Sequence, residues 1–424
     1  MIAPQLASLL TTITGQPPAV RIRAWDGSEA GPGHGPTLVV RDPLALRRLL
    51  WSPNELGLAQ AYAAGELDVD GDLADGLRRV WRQVRTTGRP KLTAAHRLRA
   101  LRLAGKLGIL GARPAAPETQ ARLTGALHSK ERDRAAIGHH YDLSNAFYQL
   151  ILDEETMAYS CGYWRSEEPD YSLADAQRDK LDLICRKLDL QPGMRLLDVG
   201  CGWGSLTVHA AYHYGVHVTG VTLSAEQLAH VERRVAEHGL EGRVDVRLQD
   251  YRDVHDGPFD AIATVEMGEH VGARNYPVFT AALFRLLRPT GRLLVQQMSR
   301  GRVAPGGGAF IEHYIAPDMH MRPVGETVAL IEDAGFEVRD VEAIREHYVR
   351  TVEAWLETLD KRWAEAVDLV GEPMARIFRL YLVGGALSFA ENRMGVDQIL
   401  AVRPMLEGDS GMPYTREALG VPGV

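Results

Sequence analysis

Cysteine is scarce in this chain of 424 residues: Cys161, Cys185 and Cys201 are all it has. Three thiols cannot build a disulfide framework and suit a reducing compartment. No basic residue precedes Arg21 and no long apolar core follows the start, so a signal peptide is not expected. The longest apolar candidate, LYLVGGALSFA at 380–390, is bracketed by Arg379 and Glu391. It falls well short of the roughly 20 residues that cross a bilayer. Low-complexity tracts and internal repeats are also missing. The expectation is a soluble, cytoplasmic protein. With 45 % hydrophobic and 24 % charged residues, the length leaves room for two or three domains.

One absence is local. From Leu77 to Ala112 there are ten Lys or Arg residues and no Asp or Glu, although the net charge is −7. Arg99, Arg102 and Lys106 share one helical stripe, while Leu103, Leu107 and Leu110 occupy another. A basic amphipathic helix of this kind can lie on an anionic membrane. A solvated helix face and a nucleic-acid patch stay open as other readings of the same charges.

Residues 1–112 read as a smaller α+β unit, with PTLVVRD as a strand and helices over 43–50 and 54–64. A linker follows over 113–128, where ARPAAPETQ (112–120) carries the turn residues. From 129 to 424 apolar strands alternate with helices, which predicts an α/β, doubly wound, mostly parallel sheet. The strands are MRLLDVG (194–200), VHVTGVT (216–222), VDVRLQD (244–250), FDAIATVE (259–266) and GRLLVQQMS (291–299). Helices are expected near 204–214, 225–238 and 276–287, with Ser224 and Gln227 forming a capping box. Residues 346–424 read as mostly helical. In GRLLVQQMS, two amides interrupt an apolar strand; strand alternation turns Gln296 and Gln297 to opposite faces.

LLDVGCGWGS (196–205) is a strand entering a glycine-rich turn that opens a helix. Gly200, Gly202 and Gly204 allow close backbone approach to a ligand. Spacing alone does not name that ligand. Asp198 precedes the turn and can hold an amino group. The second strand ends in Thr222, where a nicotinamide enzyme places an acid. The third ends in Asp250 and Tyr251, suited to accept from an adenine amine and to stack on its ring. Together they favour S-adenosylmethionine over a dinucleotide. Asn-Pro-Pro-Tyr and paired-cysteine signatures of nucleobase methylation are missing. Glu266 and Glu269 follow the fourth strand, at the end of the sheet where ligands sit; of the two, Glu269 is the favoured functional candidate.

The phrases IGHHYDLSNAFYQLILD, MAYSCGYW, AQRDKLDLICRKLDLQPGMRLLDVGCGWGS, GVTLSAEQ, LQDYRD and EHVG resemble the cyclopropane-fatty-acid synthase family from about Ile137 to the C-terminus. The first 112 residues resemble the extension of its phospholipid-acting members. The resemblance implies a class I methyltransferase that carries a methyl group from S-adenosylmethionine to the double bond of an unsaturated phospholipid acyl chain. The cofactor would be held by Tyr159, Ser160, Leu197, Asp198, Val199, Gly200, Cys201, Gly202, Trp203, Gly204, Ser205, Thr222, Gln227, Asp250 and Tyr251. Cys161, Glu269, Tyr348, Gln296 and Met298 would surround a bicarbonate base. Two positions depart from the family: Gln296 replaces a usual His, and Gly385 stands where a cysteine is common. On that ground the expected product is a methylene or methyl-branched chain such as tuberculostearate, with cyclopropane as the alternative. Tyr148, Tyr163, Trp164, Phe310 and Tyr314 are candidates to face a carbocation, and 305–308 (PGGG) a candidate lid. The resemblance further implies a homodimer, peripheral attachment at the inner membrane face and a reductase partner for a methyl-branched product; no metal and no nucleic acid are expected.

Overall fold

The computed structural model describes residues 1–88, 92–117, 128, 132, 145–303 and 306–419. The HHYD phrase, most of the expected linker and Pro305 of the expected lid lie outside the described residues. The chain divides into two compact units.

The first comprises Met1–Ala121 and, unexpectedly, Trp363–Leu387. Its sheet has the order β2-β1-β3-β4, where β1 is Arg21–Arg23, β2 Glu29–Ala30, β3 Thr37–Val40 and β4 Leu67–Asp70. Asp42 caps the helix Pro43–Trp51 by accepting from the Leu44 N–H at 2.7 Å, with Pro43 at its first turn. Asn54 caps Glu55–Ala63 in the same way. The late segment is tied in by Arg376, whose guanidinium donates to the Tyr62 and Leu67 carbonyls at 2.6 and 2.9 Å. In the basic segment, the helix Ala94–Lys106 turns Leu103 and Ala104 toward the core. Leu98 and Leu101 are exposed on this helix, and Leu110 beyond its end. The outward apolar pair, Leu98 and Leu101, therefore lies on the side of the helix away from the expected stripe, because Leu103 is used for packing.

The second unit comprises Arg122–Arg362 and Ser388–Val424. Its seven strands are β5 (Arg195–Val199), β6 (His217–Thr222), β7 (Val244–Leu248), β8 (Phe259–Val265), β9 (Leu287–Arg300), β10 (Glu337–Ala343) and β11 (Met394–Val402). They lie in the order β10-β11-β9-β8-β5-β6-β7. β5 to β9 run parallel, and β11 enters antiparallel between β9 and β10. All five expected strands are present. The helical reading of 346–424 fails at β11. Seven of its nine residues are buried, because a strand between two others is covered on both faces. A doubly covered strand reads as a continuous apolar run, which periodicity cannot tell from a buried helix.

Alternation along the central strands divides two cores. Leu196, Val218 and Leu294 meet the helices Leu173–Lys187, Ser205–Tyr214 and Ala225–Glu237 on one face. Leu197, Val221, Leu293 and Val295 meet Tyr276–Leu286 and Val324–Asp333 on the other. Gln297 continues the second face: it accepts from the Tyr276 hydroxyl at 2.6 Å and donates to Thr327 Oγ1 at 3.4 Å. Gln296 continues the first face and points at the site. Among the described residues, no helix is long and apolar enough to cross a membrane.

Candidate active site

The carboxyl ends of β5, β6, β7 and β8 open on a cavity within the second unit, where ligands sit in this architecture. Of the expected cofactor residues, Tyr159, Ser160, Asp198, Val199, Gly200, Cys201, Gly202, Trp203, Ser205, Thr222, Gln227, Asp250 and Tyr251 line it. Leu197 and Gly204 do not. Leu197 is fully buried in the core beneath. Gly204 opens the helix Ser205–Tyr214 in the left-handed region (φ +80°), and a Cβ there would lie 2.8 Å from Val231. Its role is to let the helix start close to its neighbour.

Several of these side chains are already positioned. Thr207 donates to Asp198 at 2.8 Å, while burial pushes the Asp198 carboxyl up to about 6. Thr222 donates to Gln227 Oε1 at 2.7 Å. The capping box is therefore half formed: Ser224 caps the Gln227 N–H at 3.3 Å, but the Gln227 side chain turns back to Thr222. Asp250 is held on both oxygens by the Arg252 guanidinium, at 2.7 and 2.6 Å. Tyr159 packs against Tyr148 and Trp355, with ring centroids 5.2 and 5.1 Å apart, and Tyr148 against Trp203 at 4.6 Å. A glycine turn, paired polar acceptors and aromatic faces fit an adenosyl sulfonium cofactor.

The aromatic candidates separate. Tyr163 stacks on His347 and donates to Glu342, and Trp164 donates to Thr351 under Arg350. These two, with Phe310 and Tyr314, are not among the cavity's lining residues. Tyr159, Trp203 and Tyr251 line it instead.

The expected bicarbonate residues do not surround an open space. The Cys161 N–H donates to Glu266 Oε1 at 2.8 Å, and the Gln296 amide donates to the same oxygen at 3.0 Å. The Tyr348 hydroxyl donates to Glu266 Oε2 at 2.6 Å. Glu269 stands apart from these three. Its Oε1 accepts from the Met298 N–H at 2.6 Å, and its Oε2 is buried with no hydrogen-bond partner among the described residues. Cys161 and Met298 thus act through their backbones. The Cys161 thiol faces the Gly162 and Ile344 carbonyls and is pushed well above the usual thiol range by burial. Bicarbonate does not fit this arrangement: the three donors expected to hold it are spent on Glu266.

Sequence reasoning passed over two contributors. Along the chain Glu266 reads only as the lesser member of an acidic pair. Lys180, fully buried, lines the cavity and donates to Ser160 Oγ at 2.9 Å; burial lowers its pKa while Glu266 raises it. Its signal was available. Gln177, Lys180, Leu181 and Ile184 fall at helical spacing on one buried stripe, and two polar residues on an apolar stripe call for polar partners.

Residues 128–399 match the family described as mycolic acid cyclopropane synthetase. The chain is 38 % identical over 409 residues to a probable fatty acid methyltransferase of Pseudomonas putida, covering 94 % of this chain and 95 % of the relative. It is 34 % identical over 370 residues to the cyclopropane-fatty-acyl-phospholipid synthase of Escherichia coli, covering 87 % and 88 %. Among solved structures, the mycolic acid cyclopropane synthase CmaA1 in complex with SAH and CTAB matches with a TM-score of 0.59 at 33 % identity. That match covers 63 % of this chain and 97 % of the other. Strand order, cavity and similarity agree that this enzyme belongs to the cyclopropane-fatty-acid synthase family of S-adenosylmethionine-dependent methyltransferases.

Proposed function

We propose that the enzyme methylates the cis double bond of unsaturated phospholipid acyl chains of the oleoyl type, giving a methylene and then methyl-branched chain. The observation that carries this reading is a half-buried carboxylate, Glu266, on the wall of the cofactor cavity and held by three donors. An alkene needs no deprotonation before it attacks; it needs alignment first and a base afterwards. Alignment alone can supply roughly 7 to 11 kcal/mol. S-adenosylmethionine supplies the methyl group. Transfer leaves a cation on the neighbouring chain carbon, which the faces of Tyr159 and Trp203 are suited to stabilise. Proton loss after a hydride shift yields an exocyclic methylene, and a separate reductive step would saturate it. The similarity to a fatty acid methyltransferase over nearly the full length supports this outcome. The relative that makes cyclopropane rings keeps ring closure as the second reading. Proton NMR and mass spectrometry of oleoyl lipids from cells expressing the protein separate the two. Vinylidene signals are expected; cyclopropyl signals alone would overturn the branched-chain reading.

The substrate lies in a membrane, and the basic segment is the proposed means of reaching it. Exposed Leu98 and Leu101 stand beside exposed Arg97, Arg102 and Lys106 on one short helix. Each cation near an anionic surface adds about 1 kcal/mol. Changing Arg99, Arg102 and Lys106 together to Glu is expected to abolish sedimentation with anionic liposomes and leave cofactor affinity unchanged. Undiminished liposome binding by the triple variant would remove the segment from consideration.

A further inference from the structure

We infer that Glu266 is the enzyme's resident base, standing where the family resemblance places bicarbonate and taking the proton that ends the reaction. The inference rests on the alkene-methylation reading above. It starts from convergence: a backbone N–H, an amide and a phenol from three separate elements all donate to one carboxylate on the cavity wall. Such a donor set is how a protein holds an ionised anion away from water.

The backbone points the same way. Glu266 sits at φ +52°, in the left-handed region. A residue with a Cβ is strained there relative to the right-handed form, a strain glycine escapes. Keeping a carboxylate at a position suited to glycine indicates that the side chain is needed for something other than folding.

Gln296 completes the set. Its Oε1 accepts from the Gln398 amide at 2.9 Å, whose own oxygen accepts from Lys187 at 2.8 Å. That chain turns the Gln296 amide nitrogen toward Glu266 at 3.0 Å and the Cys161 carbonyl at 3.4 Å. The glutamine that replaces the family's histidine and the carboxylate at 266 thus form one unit: a neutral donor matched to a built-in anion.

The chemistry balances without a borrowed ion. The π pair forms the new carbon–carbon bond as the carbon–sulfur bond breaks, and S-adenosylhomocysteine leaves with that bond's electrons. Glu266 then takes one proton from the cationic chain. The C–H pair becomes the exocyclic double bond, or the ring bond in the alternative. The proton remains on Glu266 until the product departs, then returns to water.

The test uses the full-length protein loaded with S-adenosylhomocysteine and [13C]bicarbonate as probe. Wild type is expected to show no saturable bicarbonate binding by NMR or calorimetry, and to turn over oleoyl phospholipid at the same rate in carbon-dioxide-free buffer. Glu266→Gly, which relieves the backbone, is expected to lose at least a hundredfold in turnover and to recover on adding bicarbonate or formate. Saturable binding of bicarbonate to wild type, or a wild-type rate that falls without it and returns with it, would overturn the inference, whether or not the variant folds. So would a Glu266→Gly enzyme with a near-normal rate and no added anion. Wild type that binds cofactor but never methylates an unsaturated lipid would instead count against the alkene reading, and the binding measurement would still decide the place of bicarbonate.

Discussion

Glu266→Gln is expected to lower turnover about a thousandfold, within the range for loss of a general base, while Glu269→Gln costs about tenfold. S-adenosylhomocysteine affinity should be unchanged in both. The asymmetry follows from how the two carboxyls share charge. Burial, with Glu266 adding to it, pushes Glu269 from 4.5 up to about 8, so at neutral pH Glu269 is protonated and an amide nearly copies it. Glu266 holds three donors, which oppose the upward push of burial on its carboxyl and favour its charged form. The same shift fixes a pH dependence. Because the folded-state value lies above the unfolded one, the folded protein binds the extra proton. The stability this lends is complete below about pH 4.5 and is lost as pH rises through about 8. The urea midpoint of wild type should therefore fall relative to Glu269→Gln between pH 5 and pH 8. Single-turnover rates, calorimetry and urea titrations provide the readouts. Equal rate losses in the two variants would show that the charge is not placed on Glu266.

Lys187→Met is expected to destabilise the fold by about 3 to 5 kcal/mol, the usual cost of orphaning one member of a buried pair. Lys187 is fully buried and donates to Glu342 Oε2 at 2.5 Å and to Gln398 Oε1 at 2.8 Å. Burial lowers its pKa, and Glu342 opposes that. Removing the ammonium leaves Glu342 with the Tyr163 hydroxyl and only the more distant charge of Arg416. A second change, Glu342→Gln, should restore part of the loss, since an uncharged amide costs less to leave there. Turnover should also fall in Lys187→Met, because Gln398 no longer has a donor to fix the orientation it passes to Gln296. Urea denaturation of the single and double variants measures the first effect. A single-variant loss below about 1 kcal/mol would mean that water replaces the ammonium and the pair is not sealed.

The cofactor half of the site was legible along the chain because it is local. A strand, a glycine turn and a helix N-terminus lie within ten residues, and Thr222 and Asp250 stand at the ends of strands whose apolar runs announce them. Alternation likewise made it possible to say that Gln296 and Gln297 face opposite ways. The misreadings share another cause. Leu197 and Gly204 belong to the turn by position, yet one is core and the other backs against Val231. The strand Met394–Val402 looked helical because both of its faces are covered. Tyr163 and Trp164 are spent on His347, Glu342 and Thr351, partners about 180 residues away that no local pattern displays.

By itself the sequence determined the parallel sheet, the cofactor class and the family, since periodicity, turn chemistry and short motifs are properties of neighbouring residues. Only the tertiary structure decided which carboxylate takes the donors. Glu266 and Glu269 are three residues apart and chemically alike. What distinguishes them is the approach of Cys161, Gln296 and Tyr348, which come from across the chain to one oxygen pair and leave Glu269 the Met298 N–H. Burial pushes both carboxyls up, and Glu269 further because the Glu266 carboxylate is near it.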